Sequence, residues 1–449
     1  VTARDTNLAL VFRGGFDLSQ KLPQFNFHAD VTHANLYELN LLRERENATV
    51  SGVLDVDFVG DDIDNILGVI EISNAVYSQD DTVSYSIREF ELEIDTAASH
   101  KHLRLRSDIV DADFDGKFTF RNIPKAANNL LQKHLPSYAG EYKPLNANEG
   151  LEFGFDMQLK NTELLSFFLA PGLTVSDSSQ FRGHYSSTTD EVFIRGELSR
   201  LEYETIVFDK VRIEAENPGK EFRLGALVDR INITDSLYLS DFEISSFTFQ
   251  DSLGLVVKWD NKTAIENSAL IRGVASFPKN EEISFHLDET QITVAGLRWE
   301  VSPDNLVQVD STAITFTDLV FSNDAQIIGL NGKISKDPLA KLNLNLKDFD
   351  LSNFNVATKR AGIKLEGLVG GRAKISGLYD QLFLTNQLTL DSLKINDVMI
   401  GSGELNNTWI PATKSIQVFA LLQRNDLTSL SVIGEFLPGK NRKENFNLK

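Results

Sequence analysis

The sequence predicts an all-β chain: a long antiparallel sheet curled into an elongated hydrophobic groove, taco- or solenoid-like, with one or two short helices. Three observations predict it. Apolar and polar residues alternate with a period of two along nearly the whole chain, only two short stretches have helical spacing, and no Pro/Gly-rich or low-complexity linker divides the 449 residues.

The stretch from Leu103 to Tyr138 carries all of these signals. Leu103, Leu105 and Ile109 share one face, with Arg104, Arg106 and Asp108 on the other. The parity then flips: Val110, Ala112, Phe114, Gly116, Phe118 and Phe120 form the apolar side, and Asp111, Asp113, Asp115, Lys117 and Thr119 the polar side. Successive side chains of a strand point to opposite faces, so each run is a strand with one apolar and one wet surface. The slip near Ile109 demands a turn or bulge there, because a one-residue shift otherwise sends the apolar set to the wrong face. After Phe120 the period changes. Ile123, Ala127, Leu130, Leu131 and Leu135 lie on one helical face, Asn122 is placed to cap, Pro124 fits the first turn and Pro136 stops the helix. A helix of about a dozen residues is marginal alone in water, so Ile123–Leu135 must lie on a surface. Cover for an exposed sheet edge is the expected role, ahead of plugging or gating the trough.

Elsewhere the alternation opens at Leu8, Leu10 and Phe12 and recurs through Val50–Phe58, Ile70 and Ile72, Val192–Leu198, Ile283–Leu287 and Leu342–Leu346 to Leu388 and Leu390. At about 10 to 12 residues per strand and turn, the chain holds roughly 30 to 35 strands. The second helical stretch is near 162–169, capped by Asn161 or Thr162 and broken by Pro171-Gly172. The polar run at 137–150 is the best boundary. It divides the chain into a groove segment, 1–138, that ends in the helix and a continuing segment, 139–449, unless the two form one repeat domain. A loose repeat relates Gly60–Gly68 to Gly377–Asn386, and Gly183–Gly196 is a related unit.

Composition narrows the function. A formal charge of −20 argues against nucleic acid and against anionic membrane surfaces, since both need clustered Lys and Arg. With no cysteine there are neither disulfides nor thiolate metal sites. The densest apolar run, Leu164 to Ala170, is far short of the ~20 residues that span a bilayer. With no initiator Met and no leader, the chain reads as a segment of something longer.

No catalytic motif is present. Asp111-Ala-Asp113-Phe-Asp115-Gly116 matches the first half of a calcium loop, but position 12 is Asn122 and no helix precedes it, so the wet face of a strand is the better account. His28 and His33 face opposite ways, and His100 and His102 have no matching carboxylate. Asn47, Asn232, Asn261 and Asn406 stand in N-x-Ser/Thr triplets that an Asn-rich chain produces by chance. HExxH, GxSxG and the phosphate-binding glycine motifs are missing, so neither enzyme activity nor a cofactor is expected. What remains is the apolar face itself. A long sheet curled on itself encloses a dry trough whose natural ligand is an acyl chain. The candidate lining is Val110, Ala112, Phe114, Phe118 and Phe120, then Leu342, Leu344, Leu346, Leu388 and Leu390.

The segments 107–138, 159–187 and 342–397 resemble the TamB family of translocation and assembly module subunits in its Bacteroidetes-type form, within the AsmA-like superfamily of bridge-like β-groove proteins. Gln381 and Asn386 stand where the family unit carries Pro and Gly. The resemblance implies a periplasmic bridge, anchored in the inner membrane by a segment outside this chain, with an Omp85-type outer-membrane barrel (TamA-like) as partner. Its implied work is outer-membrane protein assembly and secretion, or phospholipid transport between the membranes. The implied cargo is phospholipid acyl chains or nascent outer-membrane polypeptide. The rivals are an extracellular β-helix adhesin or passenger-type binding module, a polysaccharide-active β-helix enzyme, and an outer-membrane barrel. The last is disfavoured by 3 Trp and 9 Tyr without an aromatic girdle.

Overall fold

The computed structural model describes all residues except 81–82, 98–99, 142–149, 164–165, 168–171, 218, 220, 235–236, 264–265, 279–281, 295, 338, 359–361, 378–382, 411, 414, 438–445 and 449. The chain is all-β, and every described strand pairing is antiparallel. It divides into two compact units, Val1–Thr248 and Phe249–Lys449. Among the described residues no helix is long and apolar enough to cross a membrane.

The first unit contains β1 (Thr2–Arg4), β2 (Leu8–Asp17), β3 (Gln24–Asn35), β4 (Ala48–Val59) and β5 (Leu67–Gln79). Next come β6 (Val83–Ala97), β7 (His100–Ser107), β8 (Val110–Lys117), helix α1 (Ile123–His134) and β9 (Glu152–Leu159). It closes with β10 (Leu173–Val175), β11 (Ser179–Ser186), β12 (Glu191–Tyr203), β13 (Ile206–Glu216), β14 (Arg223–Asn232) and β15 (Tyr238–Phe249). Neighbours in sequence pair in space, except that β9 passes over β10 to pair with β11, while β10 lies along the end of β12. The turn demanded by the parity flip is at Asp108–Ile109, where Ser107 Oγ accepts from the backbone amides of Ile109 and Val110. The second helical stretch lies mainly outside the described residues. Of its expected caps, Asn161 Oδ1 accepts from Glu163 N at 3.1 Å, whereas Thr162 Oγ1 donates to Val175 O.

The second unit runs β16 (Ser252–Asp260), β17 (Ser268–Ser276), β18 (Ile283–Leu287), β19 (Gln291–Val294), β20 (Leu297–Val301) and β21 (Leu306–Val309). Then follow β22 (Ala313–Asn323), β23 (Gln326–Ser335), β24 (Lys341–Asp350), β25 (Leu365–Ser376), β26 (Phe383–Ile395), β27 (Val398–Ile410), β28 (Ser415–Arg424), β29 (Leu427–Phe436) and β30 (Phe446–Leu448). Two of its rows are each built from two short strands: β17 pairs with both β18 and β19, and β22 with both β20 and β21. Side chains stand in for backbone at the interruptions. The buried Asn305 amide accepts from Leu287 N at 2.8 Å and donates to Leu287 O at 2.8 Å, and the Thr290 hydroxyl bonds both N and O of Arg272. A 3₁₀ turn, Leu351–Phe354, and a helical turn, Asn355–Thr358, follow β24 without any helical spacing in the sequence.

Long strands keep one apolar face across parity flips by means of single residues in left-handed backbone. In the first unit Lys210 and Asp241 have φ of 51° and 48°, and the rows on either side stay in register. Leu198, Val211, Val228 and Phe242 form one rung, and Leu201, Phe208, Ile231 and Leu239 the next. Along each strand the two rungs are three residues apart, yet both join one core cluster. In the second unit Asp348 (φ 47°) does the same for Leu346 and Phe349, and Ser392 (φ 54°) for Leu390 and Leu393. At these two second-unit positions the register also shifts, so each is a β-bulge, which adds an unpaired residue and sharpens the local twist.

Candidate binding cleft

The apolar residues of the Leu103–Tyr138 stretch gather under α1. On β8 and β9 the register sets Ala112 opposite Met157, Phe114 opposite Phe155 and Gly116 opposite Phe153. Phe114 stacks on Phe155 at 5.7 Å between ring centroids, and Phe118 lies 5.5 Å from Phe153 and edge-on to Phe120 at 5.6 Å. Phe118 and Phe153 are buried with Ile94, Leu103, Ala126 and Leu151, while Phe114 and Phe120 pack against that cluster. On the opposite face each aspartate of the calcium-like run meets a different side chain. Arg106 bonds both oxygens of Asp113 at 2.9 and 2.8 Å, Lys160 reaches Asp111 at 2.7 Å, and His102 reaches Asp115 at 3.3 Å.

Helix α1 forms where the period predicts, over Ile123–His134, with Pro124 in the first turn and Leu135 just past the end. The Asn122 side chain makes no capping bond, contrary to expectation; its backbone oxygen accepts from Ala126 N at 2.9 Å. The approach to the helix is held instead by the β4–β5 turn. The Asp64 carboxylate accepts from the backbone amides of Phe120 at 2.5 Å and Arg121 at 3.2 Å, and Asp62 pairs with the Arg121 guanidinium at 2.6 Å. Lys101, also buried here, donates to Asp64 O at 2.7 Å; burial lowers its pKa, with Asp64 and Asp62 acting the other way. At the far end Lys133 pairs with Asp190 of the β11–β12 turn at 2.7 Å, and His134 meets Thr248 at 3.3 Å and the Phe222 ring at 6.0 Å.

These contacts measure the curl of the first unit. From the β4–β5 turn to β15 there are nine pairings, roughly 43 Å on a flat sheet at ~4.8 Å each. Residues 121–134 rise only about 20 Å at ~1.5 Å per residue. For Arg121 to reach Asp62 while His134 reaches Thr248, the sheet must bend through roughly half a turn. Asp62, Asp190 and Thr248 stand at the same end of the antiparallel strands, so α1 crosses that end on the apolar side. It covers a face, not an edge.

Between α1 and the sheet is a cleft of about 440 Å³. Ile123, Ala126, Ala127, Leu130 and Leu131 roof it; Phe114, Phe153, Phe155 and Met157 line one wall, and Val192, Ile194, Ala215 and Phe222 the other. Leu151 and Tyr185 complete it, while His184 borders it from β11 with an exposed side chain on the other parity. Gly183 sets the floor. A Cβ there would stand 2.5 Å from Phe155 Cε1 and 2.7 Å from Cζ, so the Phe155 ring lies flat over the glycine.

The sequence-predicted lining therefore falls in two places. Phe114 lines the cleft, Phe118 and Phe120 belong to the aromatic cluster at its end, and Ala112 (3% exposed) and Val110 continue the β8 face away from it. Leu342, Leu344, Leu346, Leu388 and Leu390 lie in the second unit. There Leu346, Leu388 and Leu390 pack on Trp299, Phe349, Leu351, Val369, Leu393 and Leu422. Leu346, Gly371, Leu388 and Leu405 form one rung, and Leu344, Ala373, Asn386 and Asn407 the next. The Oδ1 atoms of both Asn386 and Asn407 are buried there with no hydrogen-bond partner. Sequence reasoning missed Phe153, Phe155, Met157 and the β12 wall, though Leu151–Phe153–Phe155–Met157 carries the same alternation as β8. Comparisons with protein-family models, curated proteins and solved structures find no match to this chain.

Proposed function

We propose that the chain is a stretch of hydrophobic β-groove that carries lipid acyl chains across a cell envelope and performs no catalysis. Acyl tails lie against the apolar face and headgroups remain in water. The observation that carries this reading is the apolar cleft under α1, whose volume of about 440 Å³ falls within the ~300–1,000 Å³ of ligand pockets and whose walls offer almost nothing polar. The TamB resemblance gives the proposal its setting: a periplasmic bridge, membrane-anchored outside this segment, delivering phospholipid towards an outer membrane that holds an Omp85-type barrel. Native mass spectrometry of the purified chain tests it, with copurified phospholipid as the expected result. In the longer protein, Phe114→Arg with Leu344→Arg is expected to stop lipid passage while the fold persists; unchanged transport by the folded variant rejects the reading. The aromatic cluster of Phe114, Phe118, Phe120, Phe153 and Phe155 favours one alternative, a passenger-type binding module with a filled interior. That module would carry no lipid mass.

A further inference from the structure

The cleft under α1 is too small for a whole phospholipid. A cavity of ~150 Å³ accommodates benzene, or ~25 Å³ per carbon, so about 440 Å³ accommodates roughly eighteen carbons. Two chains of membrane length would need about twice that. The floor has no spare depth either, because Phe155 already lies against Gly183 and the Phe193 carbonyl oxygen stands 2.7 Å from where a Gly183 Cβ would be. The β8–β9 wall is likewise closed, since Phe114 and Phe155 stack on each other. His184 is exposed and alternates with the inward-facing Gly183 and Tyr185, and no other residue of a chargeable type lines the cleft, so a headgroup gains nothing by entering.

We propose that this cleft is a discrete site for one unbranched acyl chain of roughly sixteen to eighteen carbons, with α1 as its roof and the Gly183–Phe155 pair as its floor. The site rests on the groove reading and adds a stoichiometry and a length limit to it. A two-chain lipid would seat one tail here and leave the other along the open face.

Competition binding tests the site. The probe is cis-parinaric acid, whose fluorescence rises in apolar surroundings, displaced by saturated fatty acids of increasing length and by palmitoyl lysophosphatidylcholine. Binding is expected to tighten by up to about fourfold per added methylene as far as about eighteen carbons and to gain nothing beyond that. Displacement by both single-chain lipids supports recognition of the tail alone, and displacement by the fatty acids only supports a free-acid source. Ala127 is exposed on α1 and lines the cleft, so Ala127→Phe fills it without touching the core. That variant is expected to lose at least tenfold in affinity at unchanged Tm. Gly183→Ala, which lifts Phe155 into the cleft, is expected to shorten the preferred chain. Should Gly183→Ala fail to fold, Ala127→Phe decides alone. Affinity that keeps rising to twenty-two carbons, or an Ala127→Phe protein that binds like the wild type, overturns the site. If the wild-type protein still carries phospholipid by native mass spectrometry in that case, the groove reading survives. If it carries none, both fall.

Discussion

Phe118→Ala strikes the point on which α1 depends. Phe118 is 4% exposed and lies between the Phe114, Phe120 and Phe153 rings, with the Lys101 ammonium 5.3 Å above its own ring. Truncating a buried phenylalanine costs about 3–5 kcal/mol, a figure that already contains the lost ring pairs. Against a typical domain stability of ~5–15 kcal/mol, that is a large share of what holds the first unit folded. The measurement is urea unfolding followed by far-UV circular dichroism. At a slope of ~2 kcal/mol per molar urea, the loss moves the midpoint of that unit down by roughly 1.5–2.5 M. Trp259, Trp299 and Trp409 all lie in the second unit, so tryptophan fluorescence reads that unit while circular dichroism reads both. Hydrogen exchange over 118–135 supplies the local readout, and faster exchange through α1 is expected because Ala126 and Leu151 lose their neighbour. A loss below about 1 kcal/mol, or unaltered exchange in the helix, would refute the claim that this aromatic cluster seats it.

Three further outcomes follow from the geometry. Asp64→Ala removes the acceptor for the Phe120 and Arg121 amides, and a loss of about 1–3 kcal/mol with earlier protease nicking near residue 121 is expected; nicking at the wild-type rate would count against the anchor. Asn386→Leu replaces a buried amide whose Oδ1 has no hydrogen-bond partner, on the apolar face between Leu384 and Leu388, and is expected to be neutral or to raise stability by about 1 kcal/mol, whereas a clear loss in a urea melt would mean the amide is satisfied. Glu366, bonded by Lys364 and Lys394, has its carboxyl lowered from 4.5 to about 2. Its stabilising contribution is therefore full above about pH 4.5 and drains away as pH falls towards 2, so the gap in urea midpoint between wild type and Glu366→Gln should narrow from about pH 5 to pH 3. A gap that stays constant over that range would contradict the pairing.

The strands were legible because half-buried antiparallel strands must alternate, and Val110–Phe120 does so residue by residue. The parity flips were harder. Leu346 and Phe349, or Leu390 and Leu393, break a strict period of two, although each pair faces one core. The clue lies between them: Asp348 and Ser392 are short polar residues that tolerate left-handed backbone, so an Asp, Asn or Ser at a flip marks a bulge and not a strand end. The helix was legible in extent, since its period is its own, but not in placement. Its apolar stripe states that it must be covered, not by what; the face, and not the edge, receives it because the sheet curls beneath it. The cleft depends on Gly183 lying opposite Phe155, a cross-strand relation between residues 28 apart that no local pattern encodes.

Helix α1 answers a problem that strands cannot solve for themselves. A sheet bent through half a turn presents its apolar face inward, and along the groove the opposite wall shields that face. At the end of the strands the gap between the two walls is open. The apolar rungs nearest that end, Phe114–Phe155 and Phe153–Tyr185, would stand open to water without cover. Another strand there would add a further edge. A helix satisfies its own backbone hydrogen bonds, so it can lie across the gap and present one apolar stripe downward without needing a partner for its N–H and C=O groups. A cylinder does not follow a curved floor: Ala126 is buried in the aromatic cluster, and the cleft runs beneath the helix from Ile123 to Leu131. The pocket is thus a geometric remainder of capping a curled sheet with a straight rod. Whether lipid uses it turns on the Ala127→Phe result, since filling the remainder leaves the cap itself intact.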